Sequence, residues 1–142
     1  MKPHGEEARK APTLAQALEA RADARRQEAV AARAQAKAYD ALAQACQQRS
    51  QALSVVSRMD AVLADVTETD EERSRVRADG QRALDHSRLT EREASLHATE
   101  ARRADAEASR ADAEADVSSQ KAGAFVSRMH DAARSLEHPD KE

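Results

Sequence analysis

Glu93, His97 and Glu100 stand at i, i+4 and i+7, a spacing that puts three metal-ligating side chains on one face of a helix. Such a face holds a divalent ion only when a second helix adds ligands. The simpler reading is a polar break in an apolar seam, flanked by solvated carboxylates. With charged residues at 35% of the chain, triplets of this kind arise without a metal. No cofactor and no metal are expected.

Nucleophilic chemistry has less to work with. Cys46, Ser54 and Ser57 share one helical stretch that contains no histidine to act as base, the five histidines lying at 4, 86, 97, 130 and 138. The three glycines, at 5, 80 and 123, form no phosphate-cradling loop. No pocket that would exclude water is foreseen, so no catalytic residue is assigned and the chain is read as non-enzymatic. Cys46 reads as a small apolar residue.

Two charged stretches and one apolar cluster remain. Arg21, Arg25, Arg26 and Arg33 form the strongest basic patch, yet Glu19, Asp23 and Glu28 sit among them, which reads as a solvated face with internal ion pairs. Stacking aromatics are scarce, with one Phe, one Tyr and no Trp, so nucleic acid is not the expected partner. A binder of nucleic acid or of a membrane surface through this basic face is the competing class. Asp105, Glu107, Asp112, Glu114 and Asp116 form an acidic stretch able to pair with the arginines if two helices lie side by side. Phe125, Val126, Met129 and Leu136 make the candidate partner-binding cluster, because Phe125 and Val126 widen the apolar stripe beyond a two-helix seam. Its plainer reading is the packed end of that seam.

The elements that position these residues are long helices. Of the hydrophobic residues 34 are alanine, with nine Leu, eight Val and no Ile, too little bulk for a rounded core of 142 residues. From Ala17 to Val66 apolar positions recur at alternating steps of three and four: Ala17, Ala20, Ala24, Gln27, Ala31, Ala34, Ala38, Ala41, Ala45, Gln48, Ala52, Val55, Met59, Val62 and Val66. A repeat of 3.5 residues is the coiled-coil signature. Thr13 with Gln16 forms a capping box that starts the first helix. A second seam runs through Ala94, His97, Ala101, Ala104, Ala108, Ala111, Ala115, Ser118, Ala122, Phe125, Met129, Ala132 and Leu136, and His138-Pro139 ends it. Between the seams Val76, Gly80, Ala83, Ser87 and Thr90 continue the pattern weakly.

Thr67 to Asp70 is the expected reversal, with Thr69 and Glu72 as a further capping box; Asp79-Gly80 is the rival turn. The fold expected is all-α, two long helices forming an extended antiparallel coiled-coil hairpin. Its organisation is a flexible tail over 1–12, a first helix over 13–66, a reversal and weakly patterned region over 67–93, a second coiled-coil segment over 94–138 and a tail over 139–142. Such a hairpin brings Ala101 near Ala36 and Ala115 near Ala22, and leaves the last turns overhanging. Residues 1–67 carry ten Lys or Arg against eight Asp or Glu, and residues 68–142 carry 13 against 18, so the halves are weakly complementary.

A single cysteine and the absence of a signal-peptide core or a long apolar run point to a cytoplasmic protein. Net charge of −3 argues for neither nucleic acid nor a membrane. The expected partners are proteins, met through coiled-coil or helix-groove contacts, and a second copy of the chain is among them. With Gln120-Lys121 followed by Phe125 and Arg128, the outline is similar to the small stalk proteins of bacterial type III secretion and flagellar export. That resemblance implies a stalk or chaperone-like role; accessory rods of ciliary, cytoskeletal and respiratory assemblies would have the same appearance. It transfers no functional residue.

Overall fold

The computed structural model describes residues 13–137, and among them there are two helices and no strand. Helix α1 spans Leu14–Val66 and helix α2 spans Asp70–Glu137. The tails over 1–12 and 139–142, His4, and the helix stop at His138-Pro139 lie outside the described residues.

Local signals account for each boundary. At the start of α1 the Thr13 amide donates to Gln16 Oε1 at 2.9 Å and the Gln16 amide donates to Thr13 Oγ1 at 3.2 Å, the reciprocal box expected from the pair. Thr67 to Thr69 separate the helices. Thr69 Oγ1 accepts from the Glu72 amide at 3.3 Å, and Asp70, Glu71 and Glu72 place carboxylates in the first turn of α2. The last turn of α1 has no basic residue of its own. Arg73 of α2 supplies one, donating from Nε to the Ala64 carbonyl at 3.3 Å and from its terminal nitrogen to the Thr67 carbonyl at 2.9 Å. One side chain therefore satisfies a carbonyl at the end of α1 and another in the link.

The chain divides into two compact units, one drawn from Met1–Arg33 with Ala106–Glu142 and the other from Ala34–Asp105. In the first, α1 turns Ala22, Ala29 and Ala32 onto Ala108, Ala111, Ala115, Ser118 and Ala122 of α2, and Ala29, Ala32, Ala108 and Ala111 form one contiguous cluster. In the second unit the two helices form a hairpin closed by Thr67 to Thr69. Its buried residues are Ala36, Ser50 and Ala64 of α1 with Gly80, Ala83, Ser87, Thr90, Ala94, Ala101 and Ala104 of α2. Every buried hydrophobic side chain in the described residues is alanine.

The paired face of α2 is the expected one from Val76 through Phe125, the positions beyond it being exposed. The paired face of α1 is not. The fifteen positions from Ala17 to Val66 singled out by periodicity are all exposed. The side chains turned toward α2 lie two residues earlier at every step: Ala15, Leu18, Ala22, Arg25, Ala29, Ala32, Ala36, Tyr39, Ala43, Cys46, Ser50, Leu53, Ser57, Asp60 and Ala64. Two residues are about 200° around a helix, so the faces are nearly opposite.

The reason is steric and polar fit. Asp60 lies against Gly80, where a Cβ would come within 3.0 Å of Asp60 Cβ. Tyr39 stacks on His97 with ring centroids 6.2 Å apart. Ser50 and Ser87 each donate a hydroxyl to the other's backbone carbonyl, at 3.0 and 2.9 Å. Asp79-Gly80 is accordingly not a turn: it lies inside α2, where glycine makes room for the neighbouring helix.

The two helical glycines should respond oppositely to a side chain. Gly80→Val should lower stability by roughly 1–3 kcal/mol, because Asp60 Cβ is too close to its own backbone to yield. Gly123, with open space around it, should gain about 0.5–1 kcal/mol on replacement by Ala. Melting followed by circular dichroism distinguishes the two signs.

Candidate functional site

Positions able to do chemistry fall into three groups, and the first is the arginine patch. In the first unit Arg25 lies on the paired face of α1 and reaches Glu114 of α2 at 2.9 Å as well as Glu28 on its own helix at 2.7 Å. The hydrogen bond that Arg25 donates to Glu28, and after it the charge of Glu114 and Glu28, raise the Arg25 pKa above its ordinary value, against an opposing desolvation. Arg33 pairs with Asp112, Arg26 pairs with Asp23 at 2.8 Å and donates to Ser119 Oγ at 2.8 Å. The acidic stretch thus meets the basic one through Asp112 and Glu114. What results is a partly solvated ion-pair ladder, in which three of the four arginines are already answered by carboxylates.

Arg21 lines a groove of about 270 Å³ with Leu18, Arg110, Val117 and Lys121. Its walls carry no histidine or cysteine. Glu114 shares that wall, and its carboxylate is the one that pairs with Arg25.

The second group is the set of titratable and nucleophilic residues. His97 stacks on Tyr39, and among the described residues no cluster of three or more His, Cys, Asp or Glu could hold a metal ion. Cys46 is a free thiol, half-buried on the paired face of α1.

The terminal cluster is the third. Phe125 is half-buried, and with Val126, Met129, His130 and Ala133 it lines an open groove of about 360 Å³ whose other wall is Thr13 and Ala15. The first turn of α1 therefore reaches Phe125. Val126 and Met129 are exposed, and Leu136 is 82% exposed and does not line the groove. The structure brings three of the four residues together.

One group escaped the sequence reading as a surface. Val55, Val56, Met59, Val62, Leu63 and Val66 are all exposed, although periodicity assigned four of them to the helix pair. The signal was present in the sequence as two parallel stripes on α1. The more apolar one faces away from α2.

No protein-family model, curated protein or solved structure matches this chain. No helix of the described residues is long and apolar enough to cross a membrane.

The Ser50–Ser87 exchange offers a measurement of what the polar layers contribute. Ser50→Ala should destabilise by about 1 kcal/mol, since it removes one donated hydrogen bond and leaves the Ser87 carbonyl buried. The double replacement with Ser87→Ala should cost less than the sum of the two singles, because the Ser50 Oγ–Ser87 Oγ contact at 3.0 Å is lost in either single alone. A double-mutant cycle in urea reads that coupling directly.

Proposed function

We propose that this chain is a non-enzymatic structural or interaction subunit of a larger protein assembly, built as an antiparallel coiled-coil hairpin. One observation carries the reading: the helices bury alanine between them while Leu42, Val55, Met59, Val62, Leu89, Leu96, Met129 and Leu136 remain exposed. A fold that spends its large apolar residues on the outside is arranged for other proteins to cover them. The 3.5-residue spacing of both paired faces supports the coiled-coil geometry.

The ion-pair ladder weighs against the basic-face alternative, because a patch that binds phosphates needs cations not already matched by Asp23, Glu28, Asp112 and Glu114. Partner contact at the end of α2 falls to Phe125, Val126, Met129 and Leu136. There a helix or groove of the partner would continue the apolar wall that Thr13 and Ala15 begin.

Replacing Val126 and Met129 together with Glu should abolish capture of the native partner at moderate salt. Both are exposed, so helicity and melting should shift by no more than about 0.5 kcal/mol per site. Retained capture would remove this cluster from the interface. Recovery of the chain from native extract only with nucleic acid or lipid, and never with a defined set of proteins, would overturn the proposed class.

A further inference from the structure

In the hairpin unit, the face of α1 directed away from α2 is a second seam, Ala34, Ala38, Ala41, Ala45, Gln48, Ala52, Val55, Met59, Val62 and Val66, and all ten side chains are exposed. Leu42, Val56 and Leu63 lie along one edge of it and are exposed as well. Exposure is 58% at Met59 and 71% at Val66, so this face is not covered by the chain's own second helix.

We propose that a second copy of this chain covers the face, its α1 lying antiparallel to the first about a two-fold axis between Gln48 and Ala52. The inference rests on the coiled-coil reading above but concerns a different surface and names its occupant.

The distribution of bulk argues for self-pairing. The N-terminal half of the seam is alanine at 34, 38, 41 and 45, and the C-terminal half is Val55, Met59, Val62 and Val66. Antiparallel pairing about that axis sets Val66 opposite Ala34, Val62 opposite Ala38, Met59 opposite Ala41 and Val55 opposite Ala45. Each layer then joins one large and one small side chain, which keeps the spacing of the two helices even. Parallel pairing would stack alanine on alanine at one end and bulk on bulk at the other. A helix pair cannot hold one separation under both.

The flanks agree. The same register sets Lys37 opposite Asp65, Gln44 opposite Arg58, and Leu42 opposite Val56, each twice by symmetry. Lys37, Arg58 and Asp65 form no ion pair within the described residues, so all three are available. Parallel pairing would instead oppose Lys37 to Leu42 and Arg58 to Leu63. The single like pair, Arg49 with its own copy, falls at the axis, where long side chains turn outward into solvent.

Sedimentation equilibrium of the full chain across the micromolar range should give a dimer. Lys37→Glu should weaken it by about tenfold, and adding Asp65→Lys to the same chain should restore it, because the exchanged charges again face one another. Orientation is read by cross-linking in a Cys46→Ser background. Oxidation of a mixture of Ala45→Cys and Val55→Cys chains should yield covalent dimers of the two different chains. Either variant alone should not, since like positions lie about 15 Å apart along the axis. A monomer at every concentration would overturn the proposal, as would cross-linking of either variant with itself. Neither result would touch the assembly function, which is read by capture of other proteins through the end of α2.

Discussion

Where α1 and α2 face one another, alanine holds all thirteen buried hydrophobic positions, and that limit on side-chain size governs what else the interface can contain. A methyl group contributes only about 0.8 kcal/mol on burial, well under a leucine. It also lets two helices approach closely, so any larger side chain on one helix requires a matching concession on the other. Asp60 has Gly80, and Tyr39 has the flat ring of His97. The register of the hairpin unit follows from these fits more than from hydrophobic bulk.

Polar groups then add the specificity that a run of alanines lacks. Identical small layers tolerate slippage of one helix against the other by a whole repeat, with little change in buried area. The reciprocal Ser50 and Ser87 hydroxyls resist such a slip, because moving either by one turn leaves buried carbonyls and hydroxyls to find new partners. Arg73 acts at the closed end in the same sense. It ties the Ala64 carbonyl of α1 and the Thr67 carbonyl of the link to α2, and through Asp70 at 3.0 Å its own orientation is fixed. In the other unit Arg25 with Glu114 and Arg33 with Asp112 are more exposed, and screening by water and salt makes them guides to register and minor contributors to stability.

The fold class, the capping box at Thr13 and the paired face of α2 were legible because each rests on a local rule: composition, a three-residue spacing, or an unopposed 3.5-residue stripe. The inner face of α1 was not. That helix carries two stripes two residues apart, and periodicity establishes that a stripe will be covered without saying by what. The three-four alternation of apolar residues points to Val55, Met59, Val62 and Val66, whereas the residues packed against α2 are Ser50, Ser57, Asp60 and Ala64. The deciding information sat in the other helix, in Gly80, Ser87 and His97. Reading the two stripes jointly, layer by layer across the turn, would have exposed the match of Ser50 with Ser87 and of Arg25 with Glu114. The terminal cluster was legible as an apolar patch, but the reach of Thr13 and Ala15 to Phe125 depends on the register and so was hidden with it.

That the weaker stripe faces inward has a thermodynamic logic. The helices of a hairpin are joined by three residues, so their local concentration is high and closing the pair costs little entropy. Alanine layers with a few polar matches suffice there. Contact between separate chains carries an association cost of about 4–15 kcal/mol, which small side chains cannot offset. Large residues are therefore most useful on the surface that must find its partner by diffusion. In the proposed dimer that surface on α1 is the stripe of Val55, Met59, Val62 and Val66, flanked by Leu42, Val56 and Leu63. The division of labour between the faces of one helix is then a consequence of chain connectivity: the link through Thr67 to Thr69 permits a thin inner seam, and the bulk it releases is left for an outer one.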